Sequence, residues 1–360
     1  MILKTYQKYI IHNFSYTLFQ VTIIFFCLIF VLNIFEEINF FKSSEQKLFF
    51  PILLTFLNVP SVMYEIFPFI FLISTQFFFL KIIENNELLT FKNIGLNNFR
   101  IIKIISLTSF IYSLLIIILL YNFSAKLKFV YLDLKNSYSN DNKYLAVITN
   151  NGLWIKDEID NKINIINASK IEKNSLKNIS ITQFNKQYEL IKTLQGKSAD
   201  ISNKLWLIKD LKISENNFQS EDLAKLEFNT NFDVEKINSL FSNLFSLTFW
   251  ELNDLKKDYR TLGYSTSEIN THFQKILSYP FYITVMAILS SIIMLNIKYN
   301  KSKIFNIVVA LLLSVIIYYL NYFFNIFGAN KDMPIFLTIW IPIFIISIFA
   351  CYGLININDK

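Results

Sequence analysis

Residues 49–80 read FFPILLTFLNVPSVMYEIFPFIFLISTQFFFL, and their only charged side chain is Glu65. A helix that crosses a membrane needs about 20 mainly apolar residues, so this stretch is long enough to hold a span. Pro60 interrupts it, and residues 49–59 are too few to cross alone. The stretch therefore predicts a span over 61–80, preceded by a segment that lies in the membrane interface.

Similar apolar runs lie on both sides of this stretch. Together they predict six membrane-spanning helices, near residues 15–35, 61–80, 101–121, 276–296, 304–327 and 335–355. Hydrophobic residues make up 53% of the 360 residues, which is typical of a chain that alternates spans with polar parts. The N-terminal lysines resemble those of a signal peptide, but the apolar run after them has spanning length and no small-residue cleavage site. We interpret it as a retained first span.

Lysine and arginine are distributed unevenly over the short connections. One side would carry Lys4, Lys8, Lys81, Lys92, Arg100, Lys103, Lys298, Lys301 and Lys303, whereas the other carries only Lys42, Lys47 and Lys331. The positive-inside rule then predicts cytoplasmic termini and a cytoplasmic loop over 81–100. The net charge of +7 is interpreted as this topology, and nucleic acid is not expected as a partner because no dense basic run is present.

The polar section between the third and fourth spans predicts an outer domain. It contains short segments rich in β-branched and aromatic residues: YLAVIT, GLWIKD, KINIIN, NISITQF, YELIKTL and KLWLIKDLKI. These indicate an all-β domain, a sandwich or jelly roll, over 122–247, and residues 248–275 are expected to form a helical connector. The predicted fold is thus an α-helical membrane protein with six transmembrane helices, over 1–121 and 276–360, and an inserted periplasmic, jelly-roll-like all-β domain.

Patterns that would indicate an enzyme, a metal site or a cofactor are weak or missing. Residues 196–198 (Gly-Lys-Ser) resemble the end of a phosphate-binding loop, but Ile191 stands where the loop needs a glycine. His12 and His272 lack a metal-ligand neighbour at helical spacing, and the two cysteines lie near opposite ends of the chain. We expect no catalytic residue, metal or cofactor. Glu65 is interpreted as an acid near the outer interface rather than a group facing a cavity.

Trp154 and Trp206 occur in similar strings, GLWIKD and KLWLIKD. Such a repeat could mark a duplicated ligand-binding strand. We favour the other reading, in which each tryptophan faces the core of the β-domain, because large aromatic residues on strands usually point inward.

Four strings, in their order along the chain, carry a resemblance to a known family. They are NVPSVMYEIFPFIFLISTQFFFLKIIENNELLTFKNIGL with Pro60, Glu87, Leu88 and Gly95; NNGLWIKD with Gly152, Trp154, Lys156 and Asp157; HFQKILSYPFYITVMAILSS with Pro280; and MPIFLTIWIP. Together with the three-span, β-domain, three-span layout, they resemble the LptF/LptG family of lipopolysaccharide export permeases. The tryptophan string is similar to the LptG branch.

The resemblance implies a transport subunit without an ATPase of its own. Its expected partners are an LptF-like permease, an LptB-like cytoplasmic ATPase dimer, an LptC-like single-span protein with a β-jelly roll, and lipopolysaccharide extracted from the inner membrane. The outer β-domain would pass the lipid to a periplasmic bridge of similar domains, since an edge strand can pair with the next domain's edge. The lipid-path candidates are Asn33, Lys42, Tyr318 and Asn321.

The segment ENNELLTFKNIGLNN, residues 84–98, is the candidate for contact with the ATPase. Leu88 and Phe91 are three residues apart, so one helix face can present apolar anchors beside Glu84 and Glu87. Gly95 is expected to end this helix as a C-cap glycine. A short helix in a groove of the ATPase would transmit movement as a rigid body, whereas the alternative reading is a solvated loop that only joins two spans.

Two other function classes remain open from the residues alone. A membrane-anchored sensor or envelope-assembly factor could also carry a ligand-binding β-domain, but six spans exceed what an anchor needs, and no cytoplasmic output domain is visible. A membrane hydrolase would need a nucleophile and a base, for which no pattern stands out.

Overall fold

The computed structural model of the chain divides into two compact units. One comprises residues 1–128 and 267–360, and the other comprises 129–266. The described residues are 4–41, 49–138, 153–159, 162–172, 174–215, 220–234, 237, 243–261, 265–296, 303–329 and 333–358.

Long apolar helices dominate the first unit. The helices that the described residues contain include α1 (Thr5–Phe40), α2 (Phe49–Glu84), α3 (Glu87–Asn93), α4 (Asn98–Leu115), a π-helical turn (Ile116–Tyr121), α5 (Asn122–Ser137), α6 (Phe249–Thr261), α7 (Ser267–Leu295), α8 (Lys303–Ala329) and α9 (Ile335–Asn358). Within the described residues, six helical segments are long and apolar enough to cross a membrane. The six predicted spans are confirmed.

The predicted break at Pro60 is wrong. Helix α2 runs without interruption through Pro60 and Pro68 for 36 residues. A proline removes one main-chain hydrogen bond, and in a membrane helix neighbouring groups can compensate for that loss. At 1.5 Å per residue α2 is about 54 Å long, which exceeds the roughly 30 Å hydrocarbon core, so a single helix holds both the span and its extension.

Helices α2 and α7 form the centre of the bundle, and their spans are the most buried. Small side chains of α7, those of Ala287, Ser290 and Ser291, are fully buried there. Ser290 Oγ donates to the main-chain oxygen of Leu72 at 2.8 Å. Small residues let helix backbones approach closely, which is the usual way that helices associate in membranes.

The second unit contains a six-stranded antiparallel sheet. Its strands are β1 (Leu153–Ile159), β2 (Lys162–Glu172), β3 (Ser175–Phe184), β4 (Leu190–Asp200), β5 (Leu205–Glu215) and β6 (Ser220–Asn229), and each pairs with the next in chain order. This confirms an inserted β-sheet between the third and fourth spans, whereas residues 122–137, which the prediction included in the all-β domain, form helix α5. Five predicted strings lie in β1 to β5, the YLAVIT string and Gly152 lie outside the described residues, and the charged strand β6 was not predicted.

The two tryptophans lie in different environments. Trp206 on β5 is fully buried, and its Nε1 donates to the main-chain oxygen of Phe232 at 2.8 Å. Trp154 on β1 is 55% exposed. The interpretation as a core aromatic is therefore correct for Trp206 and wrong for Trp154, because Trp154 lies on the face of β1 opposite to that of the buried Leu153 and Ile155.

A buried carboxylate connects the two ends of the sheet. Asp157 on β1 is fully buried and accepts hydrogen bonds from Thr230 Oγ1 at 2.7 Å, from Asn231 Nδ2 at 2.8 Å and from Asn231 N at 3.1 Å. Thr230 and Asn231 directly follow β6. The sheet is thus curled so that its first strand meets the end of its last strand, and the final Asp of the GLWIKD string holds this closure.

The Gly-Lys-Ser string lies within β4 and not in a loop before a helix. A Cβ at Gly196 would lie 2.5 Å from Ile208 Cγ2 and 3.3 Å from the main-chain oxygen of Lys209. Close packing against β5 is therefore the reason for the glycine. Helix α6 follows the sheet, and Thr248 and Glu251 form a capping box at its start, in which Thr248 N donates to Glu251 Oε2 at 2.7 Å.

Candidate functional site

The segment 84–98 folds as a short helix between two tight turns. Asn86 (φ 58°) and Gly95 (φ 81°) adopt the left-handed conformation on either side of α3. Leu96 N donates to the oxygen of Phe91 and Gly95 N donates to that of Lys92, each at 2.9 Å. This pair of bonds is a Schellman motif with glycine in its required place, so the predicted C-cap role of Gly95 is confirmed.

Helix α4 begins directly after this motif. The side chain of Asn97 accepts a hydrogen bond from Arg100 N at 3.1 Å and so caps the first turn of α4. Before α3, Asn85 Nδ2 donates to Glu87 Oε1 at 3.1 Å. Polar side chains therefore fix both turns, and α3 is a defined helix rather than an irregular loop.

The orientation of α3 corrects the predicted apolar face. Phe91 is only 7% exposed, and its ring meets that of Tyr9 on α1 edge to face, with centroids 6.2 Å apart. Phe91 therefore faces the protein's own bundle and is not an exposed anchor. The outward apolar residues are Leu89 and Ile94, 52% and 62% exposed, which the spacing argument missed.

The acids and the remaining leucine of α3 have different environments. Leu88 and Glu87 are half-buried, whereas Glu84, at the end of α2, is exposed. The Tyr9 hydroxyl interacts electrostatically with the Glu87 carboxylate. The structure therefore brings Glu87 and Phe91 together on the inner side of α3.

A second polar feature links three helices at the other end of α1. Asn33 Oδ1 on α1 accepts a hydrogen bond from Asn58 Nδ2 on α2 at 2.8 Å. Asn58 Oδ1 in turn accepts one from Lys128 Nζ on α5. The Glu65 carboxylate, exposed on α2, interacts electrostatically with Lys128 and with Lys275 on α7. We call this set, Asn33, Asn58, Glu65, Lys128 and Lys275, the outer polar network.

This network contains one of the four lipid-path candidates. Asn33 belongs to it, whereas Tyr318 and Asn321 lie on α8, where Tyr318 is exposed and Asn321 is half-buried. Lys42 lies outside the described residues. The sequence reasoning missed Lys128 and Lys275 because their partners lie on other helices, tens to hundreds of residues away in the chain.

Aromatic residues pack beside this network in the centre of the bundle. The rings of Tyr64 and Tyr279 stack with centroids 4.6 Å apart, and the ring centroid of Tyr121 lies 5.1 Å from that of Tyr64. Tyr121 ends the π-helical turn, and its hydroxyl lies 3.0 Å from His272 Nε2. Both partners are buried, so His272 is a hydrogen-bonding group of the bundle core. Pro280 is buried inside α7 next to Tyr279.

Comparison with known protein families identifies the family of the chain. A family described as "Lipopolysaccharide export system permease LptF/LptG" matches residues 8–356, which is nearly the whole chain and includes both the bundle and the β-domain. The chain belongs to the LptF/LptG family. No individual curated protein is similar enough to count as a match. As an LptF/LptG permease, the chain is a multi-pass membrane transport protein of lipopolysaccharide export.

Proposed function

We propose that the chain is the LptG-like permease subunit of an ABC-type exporter that extracts lipopolysaccharide from the inner membrane. The observation that carries this proposal is the family match over residues 8–356. The string around Trp154 supports the LptG-like role, and an LptF-like permease would form the other half of the transporter. Helices α1 and α8 have long exposed apolar faces that suit such a partner or lipid acyl chains.

The work of ATP hydrolysis would reach this subunit through α3. Leu89 and Ile94 project from the helix into solvent, and Glu84 lies exposed one turn before it. A short helix with apolar anchors and flanking charge suits a groove on a partner, here an LptB-like ATPase dimer. Glu84, Leu88, Leu89 and Ile94 would form the docking surface. Glu87, Phe91 and Gly95 would set its orientation.

The proposed orientation puts both termini and α3 in the cytoplasm and the β-domain in the periplasm. The asymmetry of lysine and arginine supports this arrangement, because these residues accumulate on the cytoplasmic side of inner-membrane proteins. The outer polar network then lies towards the periplasm, where α1 ends and α2 begins. Lys128 and Lys275 supply positive charge there, as a phosphate group of a lipid headgroup requires.

The β-domain would receive the lipid and hand it on. Its sheet curls so that the Asp157 carboxylate meets the end of β6, and its inner side is apolar. A curled sheet with terminal strands can extend into a neighbouring β-domain, here that of an LptC-like protein. Sequential troughs of this kind would keep the acyl chains of the lipid away from water.

Recovery of the ATPase with altered α3 surfaces tests this proposal. The double variant Leu89→Ser, Ile94→Ser removes both exposed anchors, and the expected result is a membrane-inserted permease that no longer co-purifies with the ATPase in mild detergent. Leu205→Ser is the matched control, because Leu205 on β5 is also 52% exposed but lies in the β-domain. Equal ATPase recovery from the wild type and the double variant would contradict docking through α3.

A further inference from the structure

One side chain of α1 reaches both inward-facing residues of α3. The ring of Tyr9 meets that of Phe91 with centroids 6.2 Å apart and the ring planes 70° apart, and its hydroxyl interacts electrostatically with the Glu87 carboxylate. Edge-to-face contact favours one relative position of two rings, and the charge of a nearby carboxylate adds an electrostatic interaction with the hydroxyl. Tyr9 thus holds α3 by an apolar and a polar contact at once.

The main-chain connections of α3 are suited to changes of direction. Asn86 and Gly95, with φ 58° and 81°, form the turns before and after the helix, and both are exposed. Hinges in moving proteins are commonly a few element-terminal residues that absorb a change in backbone torsion. A displacement of α3 can therefore be absorbed in part at these turns. The contact of Tyr9 with α3, in contrast, runs directly from side chain to side chain and includes no turn that could absorb the displacement.

Helix α1 is long and continuous, so it can transmit a displacement along its axis. It runs from Thr5 to Phe40 without a proline, in contrast to α2 with Pro60 and Pro68. Tyr9 and Asn33 lie about 36 Å apart along its axis at 1.5 Å per residue. Asn33 is bonded to Asn58 and through it to Lys128, so the outer polar network is attached to the far end of the same helix.

We propose that Tyr9 is a positioning residue that makes α1 follow α3, so that movement of α3 reaches the outer polar network through α1. This inference rests on the proposed docking of an ATPase on α3. It adds that the displacement of α3 is transmitted to α1, and it assigns this transmission to a residue outside segment 84–98. Phe91 and Glu87 are the two contacts through which Tyr9 acts.

The test uses the full permease complex with its ATPase in nanodiscs that contain fluorescent lipopolysaccharide. Tyr9→Ala removes both contacts, whereas Tyr9→Phe keeps the ring and removes only the hydroxyl. Tyr6→Phe is the matched control, because it removes a phenol hydroxyl one turn earlier on α1. Three quantities are measured for each variant: the ATPase retained, the rate of ATP hydrolysis, and the lipid released per ATP.

The expected result is normal ATPase retention and ATP hydrolysis in Tyr9→Ala, with lipid released per ATP reduced at least about fivefold, the lower end of typical coupling factors. The lipid released per ATP in Tyr9→Phe should lie between the values for Tyr9→Ala and the wild type, and the value for Tyr6→Phe should equal that of the wild type. An unchanged lipid-to-ATP ratio in Tyr9→Ala overturns the inference, and so does loss of ATPase binding in that variant. Failure of the wild-type chain to retain an ATPase overturns the proposed docking itself.

Discussion

The hydroxyl of Tyr279 on α7 donates a 2.6 Å hydrogen bond to the main-chain oxygen of Tyr64 on α2. This oxygen is the one that Pro68, four residues later, leaves without its helical donor. An unsatisfied carbonyl inside a membrane is costly, and a group from a neighbouring helix can satisfy it. The stacked rings of the same two tyrosines hold the hydroxyl in place. Helix α7 thus compensates for the proline in α2.

Tyr279→Phe should destabilise the bundle by about 1 kcal/mol, because it keeps the stacked ring and removes only the donor to Tyr64. The measurement is reversible unfolding of the full-length protein in detergent. Pro68→Ala supplies the missing N–H, so Tyr279→Phe should cost clearly less in the Pro68→Ala background. The same loss in both backgrounds would mean that Tyr279 does not serve the carbonyl that Pro68 leaves open.

Removal of the Asp157 carboxylate should open the closure of the β-domain. Asp157→Ala leaves the Thr230 hydroxyl and two N–H groups of Asn231 without their acceptor, and we expect a loss of about 3 kcal/mol. Limited proteolysis of the full-length protein should then cut after β6 at lower protease concentration. Asp222→Ala is the control, since Asp222 is exposed on β6. Equal resistance of the two variants would argue against the closure.

The tryptophan variants should differ sharply although the two strings are similar. Trp206→Ala empties a fully buried site and removes a hydrogen bond to Phe232, and we expect a loss of about 3–5 kcal/mol. Trp154→Ala removes a side chain that is 55% exposed, and we expect a change below about 1 kcal/mol. Thermal unfolding of the two variants compares them directly. Equal losses would show that Trp154 is buried in the working protein.

Features set by composition along the chain could be predicted from the sequence. The six apolar runs lie within helices because a run of spanning length has few other stable structures in a membrane. Gly95 was predictable as a helix end, since only the left-handed conformation completes the motif and glycine adopts it readily. The strands β1 to β5 followed from their β-branched and aromatic residues, whereas β6, with SEDLAKLEFN, lacks this signal.

Features set by distant partners could not be predicted in this way. Pro60 suggests a break by a local rule, but the packed bundle keeps α2 helical. The strings around Trp154 and Trp206 are alike, and only the face of the strand on which each side chain lies decides which tryptophan is buried. Spacing on α3 indicated Leu88 and Phe91 as one apolar face, but which side faces the bundle depends on Tyr9, far away in the sequence.

The membrane orientation can be tested with single cysteines. Cys27 and Cys351 are both exposed and are first replaced by serine. We then expect a cysteine at Lys197, on the β-domain, to react with an impermeant maleimide in intact spheroplasts. A cysteine at Asn97, after α3, should react only after lysis, because lysine and arginine are concentrated on that side. The reverse labelling pattern would overturn the proposed topology.

The final prediction separates backbone conformation from packing at Gly95. A Cβ there would meet no atom within 4 Å, so any cost of substitution comes from the φ of 81°. A β-branched residue is strained in this conformation, by about 1–2 kcal/mol, whereas asparagine tolerates it. We therefore expect Gly95→Val to speed amide hydrogen exchange over 87–93 and to reduce ATPase recovery, and Gly95→Asn to leave both near wild type. Identical behaviour of the two variants would mean that the left-handed turn does not set the position of α3.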